Sequence, residues 1–69
     1  MLLTKVQAKA VADAMCRLNN VGGKINCTID SVKVCELPWT GRVLVRDALG
    51  AQEEYVDQNA FMYAYGVHE

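Results

Sequence analysis

From Asp47 to Glu69 the chain has no Lys and no Arg; the stretch DALGAQEEYVDQNAFMYAYGVHE holds five carboxylates, and all seven basic residues precede it. Other shortages narrow what the protein can be. One His, His68, stands beside the C-terminus, and the three cysteines, Cys16, Cys27 and Cys35, form no CxxC pair. A zinc site therefore lacks ligands at any usual spacing. Three cysteines also leave one over from a closed disulfide set, which favours reduced, packed thiols in a reducing cytoplasm. No uncharged run approaches the ~20 apolar residues of a membrane span. The opening MLLTKVQAKAVADAM places Lys5 and Lys9 where a signal peptide would be apolar, so the expectation is a cytoplasmic protein with no membrane contact.

Catalytic groups are equally sparse. A Cys–His or Ser–His unit would have to use His68, at a position where chains fray. Gly22-Gly23 follows a helical pattern rather than a strand, so it reads as a helix stop and not as a phosphate loop. Glu53 and Glu54 are neighbours, which point to opposite faces of a strand or diverge by about 100° on a helix. They make no acid/base dyad. The chain is expected to be no enzyme and to need no cofactor or metal.

What is present is ample for one domain, residues 1–69. Apolar residues make up 52% of the chain. Thr4 and Gln7 fit a capping box. Val6, Ala10, Val11, Ala14, Met15 and Leu18 follow as an apolar helical face, flanked by Lys5, Lys9, Asp13 and Arg17 at i, i+4 steps. Asn19, Asn20, Gly22 and Gly23 stop the helix. The period then changes to two. In KINCTI, Ile25, Cys27 and Ile29 share one face. A two-residue turn at Asp30-Ser31 sets Cys27 opposite Val34 in VKVCEL and argues against a Cys27–Cys35 bridge. A bulge or change of face near Cys35 is left open. PWTG, Pro38 to Gly41, is a turn, and RVLVRD a third strand with Arg42, Leu44 and Arg46 outward. QEEYV reads as a short fourth strand, then a helix over about 58–65 capped by Asp57, stapled by Val56 on Phe61 and ended by Gly66; one helix over 51–65 is the alternative.

The expected fold is thus α+β: an N-terminal helix, a three- to four-stranded antiparallel sheet and a C-terminal helix. Its core would hold Val6, Ala10, Ala14, Leu18, Ile25, Cys27, Ile29, Val34, Val43, Val45 and Phe61. Phe61 and Tyr65 share one face of the last helix while Met62 and Tyr63 turn away. Part of that helix must therefore meet a second layer, either the first helix or another copy of the chain, and a homodimer stays open.

Charge carries the functional reading. Residues 1–46 hold seven cations against Asp13, Asp30 and Glu36, a net +4; residues 47–69 hold −5, and the two give the overall −1. If folding keeps the sets apart, Asp47, Glu53, Glu54 and Asp57, rimmed by Tyr55, Tyr63 and Tyr65, form an acidic face suited to a basic groove on another protein. Trp39 is either a lid over the end of the sheet or an exposed anchor for the same partner. In its small size, its helix–strands–helix order and its acidic end, EEYVDQNAFMYAYGV, the chain resembles the anti-CRISPR proteins of phages. That resemblance implies a protein-binding inhibitor acting in the cytoplasm of a bacterial host and occupying a groove of a nucleic-acid-handling complex. Two readings compete with it. One is a nucleic-acid-binding accessory protein using the basic first helix with Arg42 and Arg46; the other is a self-associating structural subunit.

Overall fold

Thr4 opens the first helix as its sequence requires. Its Oγ1 accepts from the Gln7 N–H at 3.1 Å, while Gln7 Oε1 accepts from the Thr4 N–H at 2.9 Å, a complete capping box. The computed structural model describes residues 1–67; His68, the sole histidine expected at a fraying end, and Glu69, the fifth tail carboxylate, lie outside the described residues. Helix α1 spans Lys5–Asn19, and strands β1 (Asn26–Ile29), β2 (Val32–Glu36), β3 (Val43–Arg46) and β4 (Gln52–Tyr55) follow, then helix α2 (Gln58–Tyr65). The strands form one antiparallel sheet in sequential order, β1-β2-β3-β4. This is the α+β fold that the periodicities predict, with the fourth strand present and 51–65 divided into strand and helix.

Turn chemistry fixes the register. Asp30 and Ser31 both take positive φ, +48° and +68°, in a two-residue hairpin turn whose twist suits the flanking strands. Cys27 consequently faces Val34, and Ile29 faces Val32. All three cysteines are free thiols. Cys35 lies on the opposite face of the sheet from Cys27, and β2 pairs without interruption from Lys33 to Glu36, so no bulge forms there.

Both helices cover the same face of the sheet. Val32, Val34, Val43 and Val45 alternate inward beneath α1 and α2, and Phe61 is fully buried among them. Two core expectations are corrected on α1. Val6 is 81% exposed and Ala10 is exposed; the buried stripe is Ala8, Val11, Ala12 and Met15. At about 100° per residue, Val6 lies roughly 180° from Met15, so the two cannot share a face. Small Ala8 and Ala12 are the residues turned inward. Ala14, Leu18, Cys27 and Ile29 are half-buried at the rim of the core, while Leu3, Tyr65 and Val67 join it unforeseen.

At the start of α2, Asp57 Oδ1 accepts from the Ala60 N–H at 2.8 Å, the expected cap. Val56 is exposed, so it does not staple that helix. Gly66 closes it in the left-handed region at φ +68°, with Val67 N–H donating to the Met62 carbonyl at 3.0 Å. Among the described residues no helix is long and apolar enough to cross a membrane.

Candidate functional site

The residues expected to form an acidic, tyrosine-rimmed face do not come together on one surface. Glu53 and Glu54 point to opposite faces of β4, as neighbours on a strand must. The register Val45↔Glu53 and Val43↔Tyr55 sends Glu53 and Tyr55 toward the helices, whereas Leu44↔Glu54 sends Glu54 to the open face. There Arg42 Nη1 donates to Glu54 Oε1 at 2.7 Å.

Glu53 sits inside a polar knot at the edge of the core. The Tyr65 hydroxyl donates to Glu53 Oε1, which also accepts from the Leu2 N–H at 3.4 Å. The terminal ammonium of Met1 lies 4.0 Å from Oε2. Tyr65 is only 6% exposed and accepts from the Leu3 N–H at 3.3 Å. Its ring completes an aromatic cluster with Phe61 and Tyr55, with centroids 5.1 Å and 6.2 Å away and edge or tilted contacts that aromatic quadrupoles favour. Glu53, Tyr55 and Tyr65 therefore tie the N-terminal segment to α2, which places them inside the fold and not on a docking face.

That knot has a pH signature. Burial pushes the Tyr65 hydroxyl up, and the bond to Glu53 adds to the shift against the Leu3 N–H. Burial likewise raises Tyr55, with Tyr65 and Glu53 as further causes. The folded chain then retains protons that the unfolded chain releases near pH 10. Stability is full below that value and is lost as pH rises through the higher folded pKa. Thermal melts across roughly pH 8 to 11 should show a falling midpoint above about pH 10, with a shallower fall in Tyr65→Phe. An unchanged midpoint up to pH 11 would contradict the coupling.

The remaining carboxylates are also engaged. Asp47 Oδ1 accepts from the N–H groups of Leu49 and Ala51, both at 2.9 Å, and braces the β3–β4 turn; Asp57 caps α2. Tyr63 stands exposed on α2, apart from the Glu53 knot. Of the candidate anchors, Trp39 is the one the fold presents outright. It is 94% exposed, so it is no lid over the sheet. Its loop is well braced: Leu37 N–H donates to the Arg42 carbonyl at 2.8 Å, Gly41 N–H to the Leu37 carbonyl at 2.9 Å, and Arg42 N–H to Thr40 Oγ1 at 3.3 Å. Pro38 fixes φ at the first loop position.

Side-chain hydrogen bonds also tie together the end of the molecule that carries Trp39. Asn19 Nδ2 donates to Gln58 Oε1 at 2.8 Å, Gln58 Nε2 to Glu36 Oε1 at 2.6 Å, and Lys24 Nζ lies 3.3 Å from Glu36 Oε2. These bonds join the C-terminus of α1, the end of β2 and the start of α2. Exposed Val21 and Val56 flank this end in the α1–β1 and β4–α2 loops. At the other end Leu49 is 95% exposed in the β3–β4 turn.

Arg46 was expected to face outward, but the surface it forms with Lys33 was not foreseen. The open face of the sheet carries two rows across the strands, Asn26–Cys35–Leu44–Glu54 and Thr28–Lys33–Arg46–Gln52. Lys33 and Arg46 are directly opposite, and among the described residues neither pairs with a carboxylate; Arg46 donates to Gln52 Oε1 at 2.8 Å instead. Strand alternation and the hairpin turns imply this pairing, so the signal was legible. Among the described residues no group of three His, Cys, Asp or Glu side chains could hold a metal ion.

No family model matches the chain, nor does any curated protein or solved structure.

Proposed function

We propose that the chain is a small non-enzymatic protein-binding module that docks through the end of the sheet carrying Trp39. The observation behind this is a tryptophan almost wholly in water on a loop closed by three hydrogen bonds. A large apolar ring normally finds cover in a domain's own core, and binding hot spots are enriched in Trp, Tyr and Arg. A braced loop also loses little entropy on docking. Arg42, Glu54 and Asp57 supply charge of both signs around it, so the electrostatic contribution is a mixed rim and not a uniformly acidic face. The resemblance to anti-CRISPR proteins points to a host nucleic-acid-handling complex as the partner, with the module as its inhibitor.

Tagged wild type and Trp39→Ala are compared for capture of such a complex from a bacterial lysate, with Glu54→Lys as the charge test. Capture lost with Trp39→Ala and weakened with Glu54→Lys is expected. Equal capture by wild type and Trp39→Ala would end the reading. Reversal of Glu53 or Asp57 is uninformative here, because each holds the fold together.

Lys33 and Arg46 on the open sheet face, neither of them paired with a carboxylate among the described residues, favour a second reading, nucleic-acid binding. Like charges directly opposite in a sheet cost stability, which an anion between Lys33 and Arg46 would relieve. That face offers no aromatic ring on which a base could stack. Binding to a single-stranded oligonucleotide with a log–log salt slope of about −1.4, lost in Lys33→Glu/Arg46→Glu, would promote this reading over the first.

A further inference from the structure

The two edges of the sheet are treated differently. On β4 the sequence QEEY puts two carboxylates on the edge strand, and the N-terminal segment lies beside it through the Leu2–Glu53 bond. Charge and cover of this kind keep an edge from pairing with another chain. On β1 the sequence NCTI has no charge, no proline and no bulge. Its backbone bonds to β2 come from alternate residues: Glu36 N–H donates to the Ile25 carbonyl at 3.0 Å, and the register runs through Cys27↔Val34 and Ile29↔Val32. The N–H and C=O groups of Asn26 and Thr28 therefore point away from the sheet, where an added strand would meet them. Beside this edge, half-buried Ala14 and Leu18 and exposed Val21 of the α1 side form a groove with Ile25 and Cys27.

We propose that β1 pairs antiparallel with β1 of a second copy of the chain, about a two-fold axis through Cys27. A second copy is the fitting occupant because the segment INCTI, Ile25 to Ile29, is complementary to itself when reversed. About Cys27, Ile25 falls opposite the partner's Ile29, and Asn26 falls opposite the partner's Thr28. Lys24 and Asp30 stand outside this match, since Lys24 pairs with Glu36 of its own chain and Asp30 lies in the hairpin turn, where it accepts from Gln7 Nε2. A shift of one residue would set apolar positions against polar ones and turn the partner's helices to the other face. In the Cys27 register both helical layers stay on one face of a continuous eight-stranded sheet, and the two grooves beside Leu18 and Val21 adjoin across the seam. Isologous pairing of this kind closes at two subunits.

The register also sets a chemical marker. Cys27 spends its backbone groups on β2, so Cys27 and the partner's Cys27 form the non-hydrogen-bonded, closer kind of antiparallel pair, with Cα atoms about 4.5 Å apart. That spacing lies within disulfide reach. The interface leaves Trp39 uncovered and is independent of the docking reading above.

The test uses the full chain under reducing conditions, with mass measured by light scattering over a wide concentration range. The mass should rise from 7.6 kDa toward twice that value. Asn26→Lys/Thr28→Lys changes two exposed side chains on the outer face and should stay at the monomer mass with an unaltered circular dichroism spectrum. Trp39→Ala should dimerise like wild type. As a second readout, Cys16→Ser/Cys35→Ser is treated with copper–phenanthroline. The two Cys27 thiols then form an Sγ–Sγ bond, losing two protons and giving two electrons to the oxidant, and a covalent dimer appears that Cys27→Ser abolishes. A monomer mass throughout, or a dimer indifferent to the two lysines, overturns the proposal. Should the lysine variant fail to fold, the Cys27 cross-link decides: its absence at concentrations where the mass is doubled excludes this seam.

Discussion

Phe61→Ala should leave much of the chain unfolded at 25 °C. Phe61 lies at 0% exposure in the core formed by the valines of the sheet and the rings of Tyr55 and Tyr65. Truncating a buried Phe to Ala costs about 3–5 kcal/mol from lost transfer energy and the cavity left behind. A single core in a domain below about 70–80 residues rarely supplies more than 3–5 kcal/mol in total. The two magnitudes are equal, so the variant is expected near or past its midpoint without denaturant. Urea titration followed by circular dichroism gives the answer. Phe61→Leu keeps most of the volume and should stay folded with a lower midpoint. If Phe61→Ala loses less than about 1 kcal/mol, the ring is not the centre of the core.

Trp39→Ala should do the reverse, leaving the fold intact and removing the binding. With the ring 94% exposed, its loss changes stability by no more than about 0.5 kcal/mol, or a few degrees in midpoint for a domain of this size. As a central anchor it would carry about 2–4 kcal/mol of a partner's affinity, a weakening of roughly 30- to 1000-fold. Trp39 is the only tryptophan, so its fluorescence reports on this site alone. The free protein should emit as a water-exposed indole and be quenched freely by acrylamide. On adding the captured partner, the emission should shift to the blue and the quenching fall. Emission already blue and shielded in the free monomer would show the loop folded back on the protein, and the anchor reading would fail.

The contrast between these substitutions mirrors how much of the molecule could be read ahead of its structure. The capping box at Thr4, the cap at Asp57, the stop at Gly66 and the Cys27–Val34 register all follow from residues within a few positions of one another. Alternation placed Val34, Val43 and Val45 inward and Arg42, Leu44 and Arg46 outward, because a strand repeats every two residues whatever it packs against. The buried stripe of α1 was also legible: Val6 and Met15 are nine positions apart, which puts them on opposite sides of the helix. Even the basic pair on the open face could have been derived, by carrying the hairpin register across β2 to Lys33 and β3 to Arg46.

The acidic face was a different matter. That Asp47, Glu53, Glu54 and Asp57 lie in a tract without cations is a property of the sequence. What each carboxylate does is not. Glu53 turns inward because β4 pairs with β3 in a register that sets it opposite Val45, and there it meets Tyr65, twelve residues away. Tyr65 in turn meets Leu3, sixty-two residues away. Trp39 stands 94% in water on its loop even though α2 begins nearby, with Gln58 and Asn59 lining one pocket with Gly41. Local backbone preference and side-chain period are short-range, so the sequence alone determined the elements, their caps and the faces of the strands. Which polar groups are spent inside the fold, and which apolar ones remain for a partner, depends on distant elements meeting, and only the tertiary structure decided it.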